Sequence, residues 1–199
     1  SGTSKESYLT EIKTVIESAT FTYVRQRQML GLGNAILTGE HLIGNEPFAV
    51  VLADDLCDCE ESGVLSQMKE IYKKYQCSII AIEEIAMDQT KNYGVIAGNL
   101  IDETNDTYRV TDMIEKPEPK DAPTNMAIIG RYILTPDIFN IIRNTKPGIG
   151  GEIQITDALL TQAKKGKVIA YKFKGKRFDC GSVEGYVKAI KHYAKKHRF

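Results

Sequence analysis

The stretch FAVVLADDLCD, Phe48–Asp58, decides how the chain is read. It runs apolar from Phe48 to Ala53 and then sets two carboxylates, Asp54 and Asp55, side by side. A short apolar run of this kind reads as a buried strand of an α/β sheet. In open α/β sheets ligands gather just beyond the carboxyl ends of such strands. Neighbouring strand residues point to opposite faces, so one member of the pair can reach a ligand while the other turns away.

Around this stretch, six more segments have the β-branched and aromatic content of strands: Thr20–Arg25, Ser78–Ile82, Tyr93–Ala97, Val110–Glu115, Ala127–Leu134 and Val168–Phe173, with the first strand itself at Ala49–Ala53. Helical patterns lie between them. In LSQMKEIYKKY the residues Leu65, Met68, Ile71, Tyr72 and Tyr75 fall on one stripe and the charges fall elsewhere. Thr135 is placed to cap DIFNIIRN with Pro136 in its first turn, Thr156 to cap DALLTQAKK, Gly166 to close it, and Ser182 to cap the last helix. The alternation predicts an α/β class with a Rossmann-like, mixed, mostly parallel sheet flanked by helices. Successive strands between Tyr93 and Leu134 add an antiparallel part, and DETNDT, 102–107, is a turn within it. One domain over residues 1–199 is expected.

Composition narrows the partners. The chain has 26 Lys and Arg against 26 Asp and Glu, so no overall field favours nucleic acid or an anionic membrane. Its basic end, VKAIKHYAKKHRF, keeps Val187, Ile190 and Tyr193 at helical spacing and reads as the solvated face of a helix; that helix and Phe199 offer surface for self-association. The four cysteines, 57, 59, 77 and 180, form no C-x-x-C pair, and fit a reduced cytoplasmic protein with small buried thiols. No apolar run approaches the ~20 residues of a membrane span.

Three further groups can carry chemistry. KFKGKRFDCGS brings Asp179 to a glycine-containing turn after a strand, as Asp54 is brought; two carboxylates from separate strand ends can share a hard cation completed by phosphate oxygens and water. In VTDMIEKPEP, Glu115 and Lys116 stand at a strand end before Pro117, which disfavours a helical conformation at Lys116; the acid suits sugar hydroxyls and the ammonium suits phosphate. In VRQRQMLGLGNAI, Gly31 and Gly33 permit close backbone approach, while Gln26 and Gln28 carry both donor and acceptor for the imide edge of uracil or thymine. The missing third glycine argues against a dinucleotide fingerprint.

In order, VRQ, GLGNA, VVLADDL, YGV, IEKP, AIIGRY, GGEIQITDAL and FDCG resemble the bacterial UTP–glucose-1-phosphate uridylyltransferases, from about Thr20 to the end of the chain. The resemblance implies the nucleotide-diphospho-sugar transferase fold. It also implies Mg²⁺-assisted transfer from UTP to glucose 1-phosphate, giving UDP-glucose and pyrophosphate, in a homodimer or homotetramer. It assigns Asp54 and Asp179 to the metal, Gln26 and Gly31 to the uracil, Gly94, Glu115 and Asn125 to the sugar, and Lys116 to the sugar phosphate. Asn34 stands where the family often has His, and Ala53 where it often has Pro. The family's first strand and its glycine-rich, arginine-bearing phosphate loop have no counterpart before Thr20. The expectation is therefore a carboxy-terminal portion of the catalytic domain, inactive by itself, with a sugar-nucleotide-binding module or a thymidylyl- or cytidylyltransferase as the alternatives.

Overall fold

A computed structural model describes residues 5–101, 103–104 and 106–197. Two sheets organise it. The larger has six strands in the order β1 (Phe48–Val51), β6 (Met126–Leu134), β3 (Ser78–Glu84), β7 (Val168–Lys172), β5 (Thr107–Glu115) and β4 (Gly94–Leu100). A further pairing of Val95 with Ala127 joins β4 to β6. The smaller is a ribbon of β2 (Asp55–Asp58) and β8 (Lys176–Asp179).

Strand β3 shows why the large sheet is a central layer. Ile79 and Ala81 pack on one face with Ile129, Ile169 and Tyr171 under Met68 of α4 (Val64–Tyr75). Ile80 and Ile82 pack on the other with Ile128, Leu134 and Ala170, against Phe139 and Ile142 of α5 (Asp137–Asn144) and Leu159 of α6 (Ile155–Ala163). Each such isoleucine, fully buried, contributes about 1.5–3 kcal/mol. Helix α4 lies where the stripe Leu65, Met68, Ile71, Tyr72 and Tyr75 requires it, and ends in a left-handed Gln76. The remaining helices are α1 (Lys5–Glu17), α2 (Gly31–Thr38), the single turn α3 (Glu40–Ile43) and α7 (Val183–His197).

Several expectations need correction. The sheet is mixed, but only β3 and β7 pair in parallel among the described strands; β6 inserts antiparallel between β1 and β3, and the β4–β5 hairpin adds antiparallel ladders at the far side. Residues 20–25 are exposed coil, not a strand, because extended backbone becomes a strand only against a partner and none of the described ladders includes them. Thr156 lies inside the first turn of α6, whose cap position is Gln154, and the cap position of α5 is Pro136, with Thr135 one residue before it donating its hydroxyl to Asp137 Oδ1. Of the four thiols only Cys77 is buried; Cys57, Cys59 and Cys180 are half-buried, and all four are unpaired. Ser182 caps α7 as expected, its Oγ accepting the Gly185 amide at 3.0 Å. Asp102 and Asn105 of the β4–β5 turn, and Phe199, lie outside the described residues.

Candidate active site

The paired aspartates take opposite parts. Strand β1 stops at Val51, opposite Arg131 of β6, and the next β6 amide toward the strand's start, Gly130, is met by a side chain: Asp55 Oδ2 accepts it at 2.6 Å. Asp55 Oδ1 accepts Arg177 Nε at 2.5 Å, and the residue is 4% exposed. Asp55 therefore closes the end of a strand. Asp54, its neighbour, is exposed.

Strand β2 then pairs with β8 in the register Asp55 to Asp179, and the Cys180 amide donates to Asp54 O at 2.7 Å, one step beyond the ladder. This register brings the two candidate cation ligands together. A Cβ built on Gly181 would lie 3.1 Å from Asp179 Oδ1 and 3.2 Å from Asp54 Oδ2, so both oxygens border one small volume. Two carboxylate oxygens from one two-stranded ribbon, open to solvent on one side, fit a Mg²⁺ that keeps phosphate and water among its six ligands. Among the described residues no group of three or more His, Cys, Asp or Glu forms a closed metal nest.

Arg177 lies behind the pair. It bonds Asp55 through Nε, Glu83 through Nη1 at 2.6 Å and Asp179 Oδ2 through Nη2 at 3.3 Å, with its guanidinium 5.0 Å from the centre of the Tyr93 ring. Burial disfavours its charge, but Asp55 first and then Tyr93 and Glu83 outweigh that and hold its pKa above the ordinary arginine value. Tyr93 donates its hydroxyl to Asp179 Oδ2 at 2.6 Å; burial first, and then this bond, raise its pKa, so the proton stays on the phenol. A cleft of about 620 Å³ opens here, lined by Tyr93, Arg177, Asp179, Gly181 and Ser182 among others.

From Tyr93 the site continues along the β4–β5 hairpin. Gly94 pairs with Glu115, and a Cβ on Gly94 would come within 3.0 Å of both Glu115 Oε2 and Thr156 Oγ1. Thr156 donates to Glu115 Oε2 at 2.6 Å, and Lys116 Nζ stands 3.9 Å from Glu115 Oε1. Lys116 itself has φ +48°, a left-handed conformation rather than the extended one that a following proline favours. Its amide bonds Tyr93 O at 3.0 Å, and the buried Thr90 hydroxyl holds Pro117 O at 3.1 Å, so the surroundings impose a turn that costs about 1–3 kcal/mol in isolation. Asn125 donates Nδ2 to Ile85 O at 3.0 Å and accepts the Ile85 amide at its own carbonyl, bracing the edge where Glu84 pairs with Met126.

The glycine segment joins from the other side. Gly31, with φ +87°, opens α2, and a Cβ there would lie 2.7 Å from Glu152 Cβ. Leu30 O accepts the Ile153 amide at 2.7 Å and the Gly33 amide donates to Ile153 O at 2.9 Å, so GLG is laced to the segment that leads into α6 and Thr156. Gln26 donates Nε2 to Asn34 Oδ1 at 2.9 Å and to Gly31 O at 3.2 Å. The glycine segment is thus tied to the strand of chain that leads to Thr156 and Glu115, and the β4–β5 hairpin ties Glu115 to Tyr93 and so to Asp179.

Residues 3–196 match the nucleotidyl transferase family. The chain belongs to that family. It is 62% identical over 189 residues to a UTP–glucose-1-phosphate uridylyltransferase of Pseudomonas aeruginosa, covering 94% of this chain and 67% of that protein. It is 39% identical over 192 residues to the enzyme of the same name from Staphylococcus epidermidis, covering 96% and 66%. The chain thus spans about two thirds of the length of the curated relatives it matches. Among solved structures it resembles a UDP-glucose pyrophosphorylase complexed with UDP-glucose, with TM-score 0.93 and 60% identity over 98% of this chain and 74% of that one. It also resembles a UTP-bound UGPase from Acinetobacter baumannii, with TM-score 0.85 and 34% identity over 97% and 67%.

In this nucleotidyl transferase chain the structural part of Asp55, the parts of Arg177, Glu83 and Tyr93, and the bond of Thr156 to Glu115 are not evident from the sequence. One signal was present: in KRFD, Arg177 and Asp179 are two apart in a strand and so share a face. The approach of α7 is equally tight. A Cβ on Gly185 would lie 1.8 Å from Asp179 O. We expect Gly185→Ala to displace α7 from the ribbon and lower stability by about 2 kcal/mol, read as a shifted urea midpoint.

Proposed function

We propose that this chain carries the cation, sugar and uracil subsites of a UTP–glucose-1-phosphate uridylyltransferase. The observation that carries the reading is the convergence of Asp54 Oδ2 and Asp179 Oδ1 beside Gly181. In the reaction a phosphate oxygen of glucose 1-phosphate attacks the α-phosphorus of UTP in line; the bond to the β-phosphate breaks, and pyrophosphate leaves with its electron pair. The nucleophile is already an anion, so the protein need not remove a proton, and positioning with charge neutralisation carries the acceleration. Bound Mg²⁺ would supply positive charge to the phosphate oxygens, held by Asp54 and Asp179.

The remaining roles follow from donor and acceptor chemistry. Glu115, fixed by Thr156 in the space that Gly94 leaves free, accepts sugar hydroxyls, and Asn125 is assigned to the same sugar. Lys116 Nζ pairs with the sugar phosphate, and its strained turn aims it. Because Gln26 Nε2 is engaged within the protein, its oxygen is the atom left to accept the uracil N3–H, and the backbone at Gly31, to which Gln26 is bonded, is the surface assigned to the base. No helix among the described residues is long and apolar enough to cross a membrane. We place the protein in the cytoplasm, where its unpaired thiols stay reduced, and expect a homodimer or homotetramer.

The test is pyrophosphate release from UTP and glucose 1-phosphate with Mg²⁺ by the full-length protein, with and without chelator. Release abolished by chelator and by omission of the sugar phosphate is expected. UDP-glucose binding without release would make the chain a binding module, and a preference for dTTP over UTP would move it to thymidylyl transfer.

A further inference from the structure

We propose that Tyr93 is a positioning residue that sets the rotation of the Asp179 carboxylate and fixes it relative to Lys116. The inference rests on the reading of Asp54 and Asp179 as cation ligands. Asp179 presents two oxygens with different surroundings. Oδ1 faces the volume shared with Asp54 and accepts the Gly181 amide at 3.1 Å. Oδ2 is turned away and accepts two donors, Tyr93 OH at 2.6 Å and Arg177 Nη2 at 3.3 Å. The first distance is that of a strong hydroxyl-to-carboxylate bond, and the second is beyond the usual range for N–H donors. Arg177 also has its better bonds elsewhere, to Asp55 at 2.5 Å and Glu83 at 2.6 Å. The tyrosine hydroxyl is therefore the group that holds Oδ2 back and leaves Oδ1 directed at the cation position.

The same residue is fixed at its other end. Tyr93 O accepts the Lys116 amide at 3.0 Å, its own amide donates to Thr90 O at 3.1 Å, and the next residue, Gly94, is in register with Glu115. Its ring lies against the Arg177 guanidinium, 5.0 Å away. One side chain and its own backbone carbonyl thus set the distance between the carboxylate that would hold the cation and the lysine that would hold the sugar phosphate. A phenylalanine keeps the ring contact and the backbone bonds and deletes only the hydroxyl, which makes Tyr93→Phe the selective probe.

The experiment titrates Mn²⁺ into the full chain, wild type and Tyr93→Phe, in the presence of UDP-glucose, by electron paramagnetic resonance. UDP-glucose affinity in chelator and the urea midpoint are measured in parallel. We expect Mn²⁺ affinity to fall about tenfold in the variant, as for loss of a partner that orients a metal ligand, with UDP-glucose affinity in chelator within twofold of wild type and the urea midpoint unmoved. Equal Mn²⁺ affinity in the two proteins overturns the positioning role and leaves the cation site standing. Failure of the wild type to bind Mn²⁺ overturns the cation reading and this inference with it. A loss of UDP-glucose affinity in chelator, or of the urea midpoint, that matches the loss of Mn²⁺ also overturns it, because Tyr93 would then be shaping the pocket or the fold.

Discussion

Replacing Asp54 by alanine is expected to lower kcat for pyrophosphate release by about a thousandfold while leaving the urea midpoint in place. A thousandfold corresponds to about 4 kcal/mol, the scale of charge stabilisation that a bound cation supplies at a phosphoryl oxygen. Stability is spared because the Asp54 side chain is exposed, and its backbone carbonyl, which accepts the Cys180 amide, survives the substitution. Turnover equal to that of the wild type would remove Asp54 from the reaction. The adjacent position separates chemistry from architecture: Asp55 faces Gly130 and Arg177 from within the protein, so its loss registers first as instability.

The second large effect is structural. Arg177→Met should destabilise the protein by about 3–5 kcal/mol, because it removes the positive charge facing Asp55, Glu83 and Asp179 and leaves the buried Asp55 uncompensated. Urea denaturation reads this as a lower midpoint at unchanged slope. A change under about 1 kcal/mol would mean that the carboxylates find other donors, Arg131 being the nearest candidate since it already bonds the Leu52 and Asp55 carbonyls. Methionine approximates the volume of the arginine stem, so the measured loss reports charge more than a cavity.

What the sequence made legible was what local pattern controls. The two-sided apolar run of β3, the stripe of α4 and the boundaries of α5 follow from periodicity and turn residues alone. Pairing does not. Nothing local tells residues 20–25 that no ladder receives them, or tells β6 to insert between β1 and β3. At the site, the carboxylates stood out because acids at strand ends are conspicuous, and Asp54 Oδ2 and Asp179 Oδ1 both lie beside Gly181. Arg177 and Tyr93 did not stand out, since an arginine in a basic run and a tyrosine at the head of a strand segment look ordinary until the fold brings them to Asp179. Lys116 shows the opposite failure: the proline rule was sound as a preference, yet bonds to Tyr93 and Pro117 overrode it.

The two-stranded ribbon has a kinetic consequence. Asp55 and Arg177, which tie it together, are 122 residues apart in sequence, so β2 cannot find β8 until most of the intervening chain has condensed, and the loop-closure entropy is recovered only then. Only four residue pairs join the strands, which makes the ribbon a low-free-energy opening unit beside a larger and better-buried sheet. Exchange of the Cys180 amide proton, bonded to Asp54 O, should accordingly outpace that of Ile80 in β3, and slow when a divalent ion and UDP-glucose are added together.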